Sequence, residues 1–518
     1  MDIEVKRSCI EVHDYSIGDS QQVENMFTVK DPVTLERHFK GASYDFNTRT
    51  LFLPRGIDVN MLEMILKTKA KYSTKADPIT PIEKVYLKYP PKDRRQEQSL
   101  SFIVGVDGYE RNREISQISI NLNTGAGKTY VAIAAAAFLQ LKTLIIPHTK
   151  DMMTQWKNEI LAFTDVEENE ICMISSGTFT MIRIMNGMIN PNRYKFFIIN
   201  HRAIQAYANT FGWLGVSEFF KEIGIGLKIF DEAHLFFDNL SKIDFATDTY
   251  KTIYLTATPK RSDKKENVIY QEYFRCIPSI ELFDEEADPR THYVAFHYST
   301  LPTPVDVSSC EVRRRGYSKL TYFNASLYAK YAIHRPNFYT MLFILIEMAM
   351  KKGKTIFYIE NNDSIDFIYR WIMNTFPELQ GRVGILNSKV AEEIKEEQKQ
   401  KDIILTTTKS CGTGVHIDHI ALGVILAAPF STETILRQML GRMRDYNTTL
   451  IYCIDHGFSK IRSYYQSSLG MFARYALDIT DVDLKGDKLN EAYQKVLMER
   501  TMRFEREYSH GISVFRRV

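Results

Sequence analysis

From about Arg113 onward, short runs of β-branched and aromatic residues alternate with longer stretches of helical period. The runs "ISQISINL", "KTLIIP", "YKFFIIN", "LKIFDEAH" and "TIYLTAT" are apolar at consecutive positions, the mark of strands buried on both faces of a parallel sheet. Helix or loop follows each, so residues 86–275 predict one doubly wound α/β domain. The alternation stops between about Gln271 and Lys352, where "DEEADP", "LPTPVD" and "EVRRRGYSK" predict irregular connection ahead of the apolar helix "NFYTMLFILIEMAM". It resumes with "KTIFYIE", "RVGILN", "DIILTTT", "LGVILAAP" and "TLIYCID", separated by helical stretches such as "NDSIDFIYRWIMNTF". A second α/β domain is expected over 346–470, with 276–345 as a connecting segment.

Residues 1–85 carry strand signals of their own ("TRTLFLPRG") and predict a small α+β accessory domain. Residues 471–518, around "NEAYQKVLMERTMRFEREY", predict a helical tail. The charged stretch "EEIKEEQKQK" reads as a solvated helix face.

Length and composition bound this picture without redrawing it. A chain of 518 residues, 44% hydrophobic and 25% charged, folds as several globular domains. Lys plus Arg is 66 against 63 for Asp plus Glu, a net charge of +3, so any nucleic-acid surface is a local patch. Six scattered cysteines without a CxxC pair argue against a zinc site or disulfide framework and for a reducing, cytoplasmic setting. The apolar run "YVAIAAAAFL" falls short of the roughly 20 residues that span a bilayer, so no membrane partner is expected.

Chemistry concentrates at "NTGAGKT", Asn123 to Thr129, between a strand-like and a helical stretch. Glycines let backbone N–H groups converge on phosphate oxygens, and a helix start adds partial positive charge. Thr124, Gly125, Ala126 and Gly127 form such a cradle, Lys128 suits the β- and γ-phosphates, and Thr129 suits Mg2+. A strict GxxxxGK[ST] asks for Gly at position 122, where this chain has Leu122. In "KIFDEAH", the Asp231 carboxylate can hold Mg2+ through water, while Glu232 can orient and deprotonate the water that attacks a γ-phosphate. ATP and Mg2+ are the expected cofactors.

Read in order from about Arg95 to Asp445, "NTGAGKT", "LIIPHTKDMMTQW", "DEAH", "LTATPKR", "TTTKSCGTGVHI" and "QMLGRMR" resemble motifs I, Ia, II, III, V and VI of the DEAH-type superfamily 2 helicases and translocases. Gln155–Trp156 and Leu255–Arg261 are similar to the branch that includes XPB, RecG, phage UvsW and the poxvirus transcript-release helicase. Tyr44 to Gly56, "YDFNTRTLFLPRG", is similar to the DNA-binding leader of UvsW-type helicases. The resemblance implies an α/β fold class: two tandem RecA-like parallel-sheet domains, a small N-terminal α+β domain and a helical C-terminal tail.

It also implies roles. His234, Thr256 and Thr258 would couple nucleotide state to the DNA site, and Arg95 with Gln98 of "RQEQ" would read the adenine edge. Gln438 and Arg442 belong to motif VI, with Arg442 as the finger that stabilises charge on the transferring phosphoryl group. Where the pattern has a second arginine stands Asp445, and Arg444 precedes it, either as a register-shifted substitute or as a salt-bridge residue. In motif V, His416 stands where the family has Asp, with Asp418 two residues on, while Thr407 and Gly412 keep their places for the nucleic-acid backbone. Pro147, His148, Gln155, Ser176 and Gly177 complete the expected contacts, which grip phosphate and carry no base sequence. Trp156 has two readings, core packing and nucleic-acid contact, as does the basic loop Arg313 to Lys319.

The expected activity is ATP-dependent DNA unwinding or branch migration on single-stranded, forked or branched DNA in viral or phage replication and recombination, with RNA the less expected partner. Displacement of RNA polymerase or another protein from DNA without strand separation is a second reading. A nonenzymatic DNA-binding module derived from a helicase is a third, against which stand the intact Lys128, Asp231 and Glu232. For residues 1–85, a duplex grip and a stabilising cap on the first α/β domain are both open.

Overall fold

The computed structural model describes residues 1–30, 37–122, 126–235, 237–256, 264–282, 291–313, 321–387, 389–408, 417, 419–427, 429, 436, 439–440, 443 and 445–483. The chain divides into two units, Met1–Glu285 and Glu286–Val518.

The first unit opens on short strands: β1 (Asp2–Val5), β2 (Cys9–His13), β3 (Thr28–Lys30), β4 (Arg37–Phe39), β5 (Ser43–Asp45), β6 (Thr50–Pro54) and β7 (Ala70–Tyr72). Five of them form a sheet in the order β5-β6-β2-β1-β7, and β3 pairs with β4. Alternation along β1, β2 and β6 turns Ile3, Val5, Ile10, Val12, Leu51 and Leu53 inward, where they join one continuous core with Leu144, Phe197, Phe230 and Tyr254 from the α/β part. Polar contacts stitch the same boundary. Arg7 donates to the carbonyls of Thr249 (3.2 Å) and Tyr250 (2.7 Å), Ser8 Oγ donates to Asp248 Oδ1 (2.8 Å), and Gln117 Nε2 donates to the Ser8 carbonyl (2.9 Å). At Gly56 the backbones come so close that a Cβ would sit 2.0 Å from the Tyr273 carbonyl oxygen.

The α/β part follows with β8 (Gln117–Leu122), β9 (Thr143–Ile146), β10 (Ile171–Ile174), β11 (Phe196–Ile199), β12 (Leu227–Phe230), β13 (Lys251–Thr256) and β14 (Ser279–Leu282). Their order is β10-β11-β9-β12-β13-β8-β14, with every neighbouring pair parallel. The five strands expected from sequence are β8, β9, β11, β12 and β13, each buried along its whole length. The edge strands β10 and β14 were not among them; β14, "SIEL", alternates polar with apolar residues and is partly exposed, as an edge strand can be.

The second unit contains β15 (Thr291–Tyr298), β16 (Glu311–Arg313), β17 (Thr321–Phe323), β18 (Thr355–Ile359), β19 (Val383–Leu386), β20 (Ile403–Thr407), β21 (Leu422–Ala427), β22 (Thr448–Asp455) and β23 (Ala476–Asp483). Seven of these make a second parallel sheet, β19-β20-β18-β21-β22-β15-β23. The chain thus carries two tandem RecA-like sheets with a small N-terminal sheet. Two boundaries differ from the sequence reading. Residues 276–345 are more than a connection, because they supply β14 to the first sheet and β15 to the second, and the helix Ala325–Ala332 lies in the second core. Residues 471–518 are not wholly helical: the helix Ser459–Tyr475 runs into β23, and 484–518 lie outside the described residues. β23 escaped notice because it is acidic and largely exposed, as an edge strand can be. No helix among the described residues is long and apolar enough to cross a membrane.

Candidate functional site

Parallel strands send their carboxyl ends to one edge of a sheet, and there α/β proteins build their sites. In the first sheet the neighbours β9, β12, β13 and β8 end nearly level: Phe230 is in register with Ile146 and Tyr254, and Thr256 with Asn121. The segments leaving these ends carry the phosphate loop, Pro147–Thr149, Asp231–His234 and Thr256.

Of the phosphate loop, Thr124 and Gly125 lie outside the described residues, while Ala126 and Gly127 lead into the helix Lys128–Leu139. Gly127 has φ +85°, a left-handed backbone that favours glycine, and a Cβ on it would displace the end of Gln96, whose Nε2 would lie 2.2 Å away. Gln96 supports the loop from below. Its Nε2 donates to the Ala126 carbonyl (3.4 Å), and its Oε1 accepts from Lys92 N (2.8 Å). Gln98, expected at the adenine edge, lies two residues on and about 200° around the helix Arg94–Val104. The helix pattern held the signal, since Gln96 shares the buried stripe with Ser99 and Ile103. Arg95 pairs with Asp93 Oδ2 at 3.1 Å.

Lys128 Nζ lies 3.4 Å from the Leu122 carbonyl and 3.8 Å from Glu232 Oε1. Thr129 sits half-buried in the same first turn. Across from them Asp231 uses both carboxylate oxygens: Oδ1 accepts from Glu232 N (2.9 Å), and Oδ2 accepts from Trp156 Nε1 (2.8 Å). Burial, then the adjacent Glu232 carboxylate, push the Asp231 carboxyl up to about 6. A carboxylate, a hydroxyl and a lysine around a glycine-lined turn are the donor set for phosphate with a hard divalent cation, so these residues fit ATP and Mg2+.

Glu232 itself has φ +46°. Its carbonyl accepts from His148 Nε2 (3.2 Å), and Ala233 N donates to the Leu255 carbonyl (2.9 Å). His234 Nδ1 stands 3.4 Å from Glu232 Oε2 and 3.0 Å from Thr256 Oγ1, which brings the Glu232 carboxylate and the end of β13 into one chain of contacts. Thr258 lies outside the described residues.

The expected nucleic-acid residues are less uniform. Ser176 and Gly177 are exposed on the loop after β10, whereas Pro147 and His148 are buried, and His148 turns toward Glu232. Gln155 donates to Glu159 Oε1 at 2.7 Å. Trp156 is only 1% exposed, and beyond packing it reaches Asp231, a contact missed in the sequence because spacing does not disclose which way an indole N–H points. In the second unit Thr407 is buried at the end of β20. Gly412, Gln438, Arg442 and Arg444 lie outside the described residues.

Residues 89–261 match the family described as type III restriction enzyme, res subunit. The DNA 3'-5' helicase XPB of Mycobacterium tuberculosis is 31% identical over 149 residues, 29% of this chain and 25% of that protein. A protein of Invertebrate iridescent virus 6 named as helicase 161L is 32% identical over 162 residues, 30% of this chain and 32% of its own. The chain therefore spans about a quarter to a third of the length of these relatives. Among solved structures, that of T4 UvsW aligns over 93% of this chain and 100% of that one at 15% identity, with a TM-score of 0.35.

Proposed function

We propose, on the resemblance of this chain to the superfamily 2 helicases of the XPB and UvsW kind, that it is an ATP-dependent DNA helicase or translocase. The observation that carries this reading is the convergence of Lys128, Asp231 and Glu232 at the carboxyl ends of neighbouring strands, with Lys128 Nζ 3.8 Å from Glu232 Oε1. Lys128 binds phosphate oxygens, and its departure toward them takes a cation away from the Glu232 carboxylate and so raises that carboxylate's affinity for a proton. Glu232 then aligns the attacking water and takes its proton. Asp231 and Thr129 would hold the divalent cation, whose charge would offset that of the phosphates. Gln96 fixes the loop from which Lys128 starts, and His234 relays the setting of Glu232 to Thr256.

DNA is the favoured partner because a relative named as a DNA helicase matches part of this chain. Ser176, Gly177, Pro147 and Gln155, with Thr407 and Gly412 of the second unit, are proposed to lie along its phosphates. Arg442 is proposed as the finger, with Gln438 beside it in sequence. Forked or branched DNA is the proposed substrate, unwinding or branch migration the proposed outcome.

ATP turnover measured with single-stranded DNA, forked DNA, a four-way junction and RNA tests the reading. Stimulation is expected from DNA, most from branched forms. Lys128→Ala should abolish turnover and weaken nucleotide binding. Glu232→Gln should bind ATP normally and turn over at least about 100-fold more slowly. A Glu232→Gln enzyme working near the wild-type rate would refute its role as base.

A further inference from the structure

We infer that the segment Pro147–Trp156 itself transmits nucleic-acid binding to the catalytic carboxylates, through a hydrogen bond from His148 to the Glu232 backbone and another from Trp156 to the Asp231 side chain. The inference rests on the proposed reading of the chain as a DNA-stimulated ATPase and adds to it a route separate from the His234–Thr256 contact.

The segment leaves the end of β9 and turns into the helix Lys150–Phe163 at Thr149, whose hydroxyl accepts from Met152 N (3.2 Å). His148 therefore sits just ahead of a capped helix, and Trp156 is built into it. A carbonyl can only accept, so the His148 ring must carry its proton on Nε2. Burial and the nearby His201 ring push its pKa down to about 4, which keeps the ring neutral at physiological pH. Trp156 Nε1 holds one oxygen of Asp231 while the backbone of Glu232 holds the other, so the plane of that carboxylate follows the helix. Glu232 has a left-handed backbone that its neighbours must maintain, and His148 is one of those neighbours. Two consecutive residues with separate chemical tasks are thus steered by one short piece of chain, of which Pro147 and Gln155 are among the residues proposed to contact DNA. Anything that shifts this piece re-aims both carboxylates together. His148 and Trp156 act as positioning residues and touch neither substrate.

ATP turnover of the full chain is measured over a titration of single-stranded oligothymidylate for the wild type, Trp156→Phe, His148→Ala and His148→Gln, with oligonucleotide affinity read separately by fluorescence anisotropy. For Trp156→Phe and His148→Ala, the ratio of DNA-saturated to DNA-free turnover should fall about tenfold or more, while the half-maximal DNA concentration stays within about twofold of wild type. His148→Gln keeps an N–H donor and should recover much of the ratio. Variants that keep the wild-type ratio, or lose it only through weaker DNA binding, overturn the inference. Equal losses with and without DNA and no recovery in His148→Gln assign the contacts a purely structural role and overturn it as well. A wild-type enzyme that DNA fails to stimulate overturns the inference together with the reading beneath it, whereas a stimulated wild type with unaltered variants overturns the inference alone.

Discussion

Glu232 holds a conformation that most side chains avoid, at a cost of about 1–3 kcal/mol, and the contacts that maintain it come from two other stretches of sequence, at His148 and Leu255. The same dependence on neighbours decides which glutamine matters. Gln96→Ala should weaken binding of a fluorescent ATP analogue roughly 2- to 10-fold, the weight of one lost hydrogen bond, and Gln98→Ala should leave it unchanged. Burial also depresses the two imidazoles behind the site, His148 and His201, each to about 4. An unfolded imidazole titrates near 6.5, so between about pH 6.5 and 4 the unfolded chain binds protons that the folded one refuses. Stability should therefore fall as the pH drops through that window, and His201→Gln should flatten the fall, as thermal unfolding across the range would record. At this scale the sequence discloses identity better than direction. "NTGAGKT" and "DEAH" announce phosphate and carboxylate chemistry by composition alone. That Gln96 rather than Gln98 faces the loop, and that Trp156 and His148 face the carboxylates, depends on rotation about helices and rings set by tertiary packing.

Elements of the first sheet are pinned by a buried charge. Asp244, on the helix Phe237–Phe245, pairs with Lys228 of β12 at 2.9 Å, accepts from the Tyr273 hydroxyl at 2.7 Å and from Gln117 Nε2 of β8 at 3.1 Å, and also accepts from Tyr254 of β13. Both members of the ion pair are fully buried. Removing one partner strands the other, so Lys228→Met should lower stability by about 3–5 kcal/mol in denaturant unfolding, whereas an exposed pair such as Arg382–Asp402 should contribute less than about 1 kcal/mol. The strands that carry this network were legible because they are buried on both faces and hence continuously apolar. β15 and β23 were not. β15 spaces its apolar residues with histidines in "THYVAFHY", and β23 alternates acids in "ALDITDVD", so neither reads as an interior strand until its partner is known.

On the scale of the whole molecule, the N-terminal sheet and the first α/β layer share one core, which favours the cap over the independent duplex grip. Deleting residues 1–85 strips the cover that Gly41, Phe52 and Gly56 provide from Phe237, Phe245, Ile269 and Ile277, so the truncated chain should aggregate or elute as a swollen species in gel filtration. A soluble truncation that keeps DNA-stimulated turnover and loses only fork processing would restore the grip. The second unit adds a constraint of its own, because its sheet inserts β15 between β22 and β23. During synthesis, residues 291–298 leave the ribosome long before 448–455 and 476–483, the two segments that flank them in the finished sheet. Throughout that interval β15 offers two open hydrogen-bonding edges and the side chains of Tyr293, Ala295 and Phe296 to whatever is near. A nascent chain halted before residue 448 is therefore left with a strand whose neighbours have yet to be made, and exposure to chaperones and proteases is concentrated between the synthesis of β15 and that of β22 and β23.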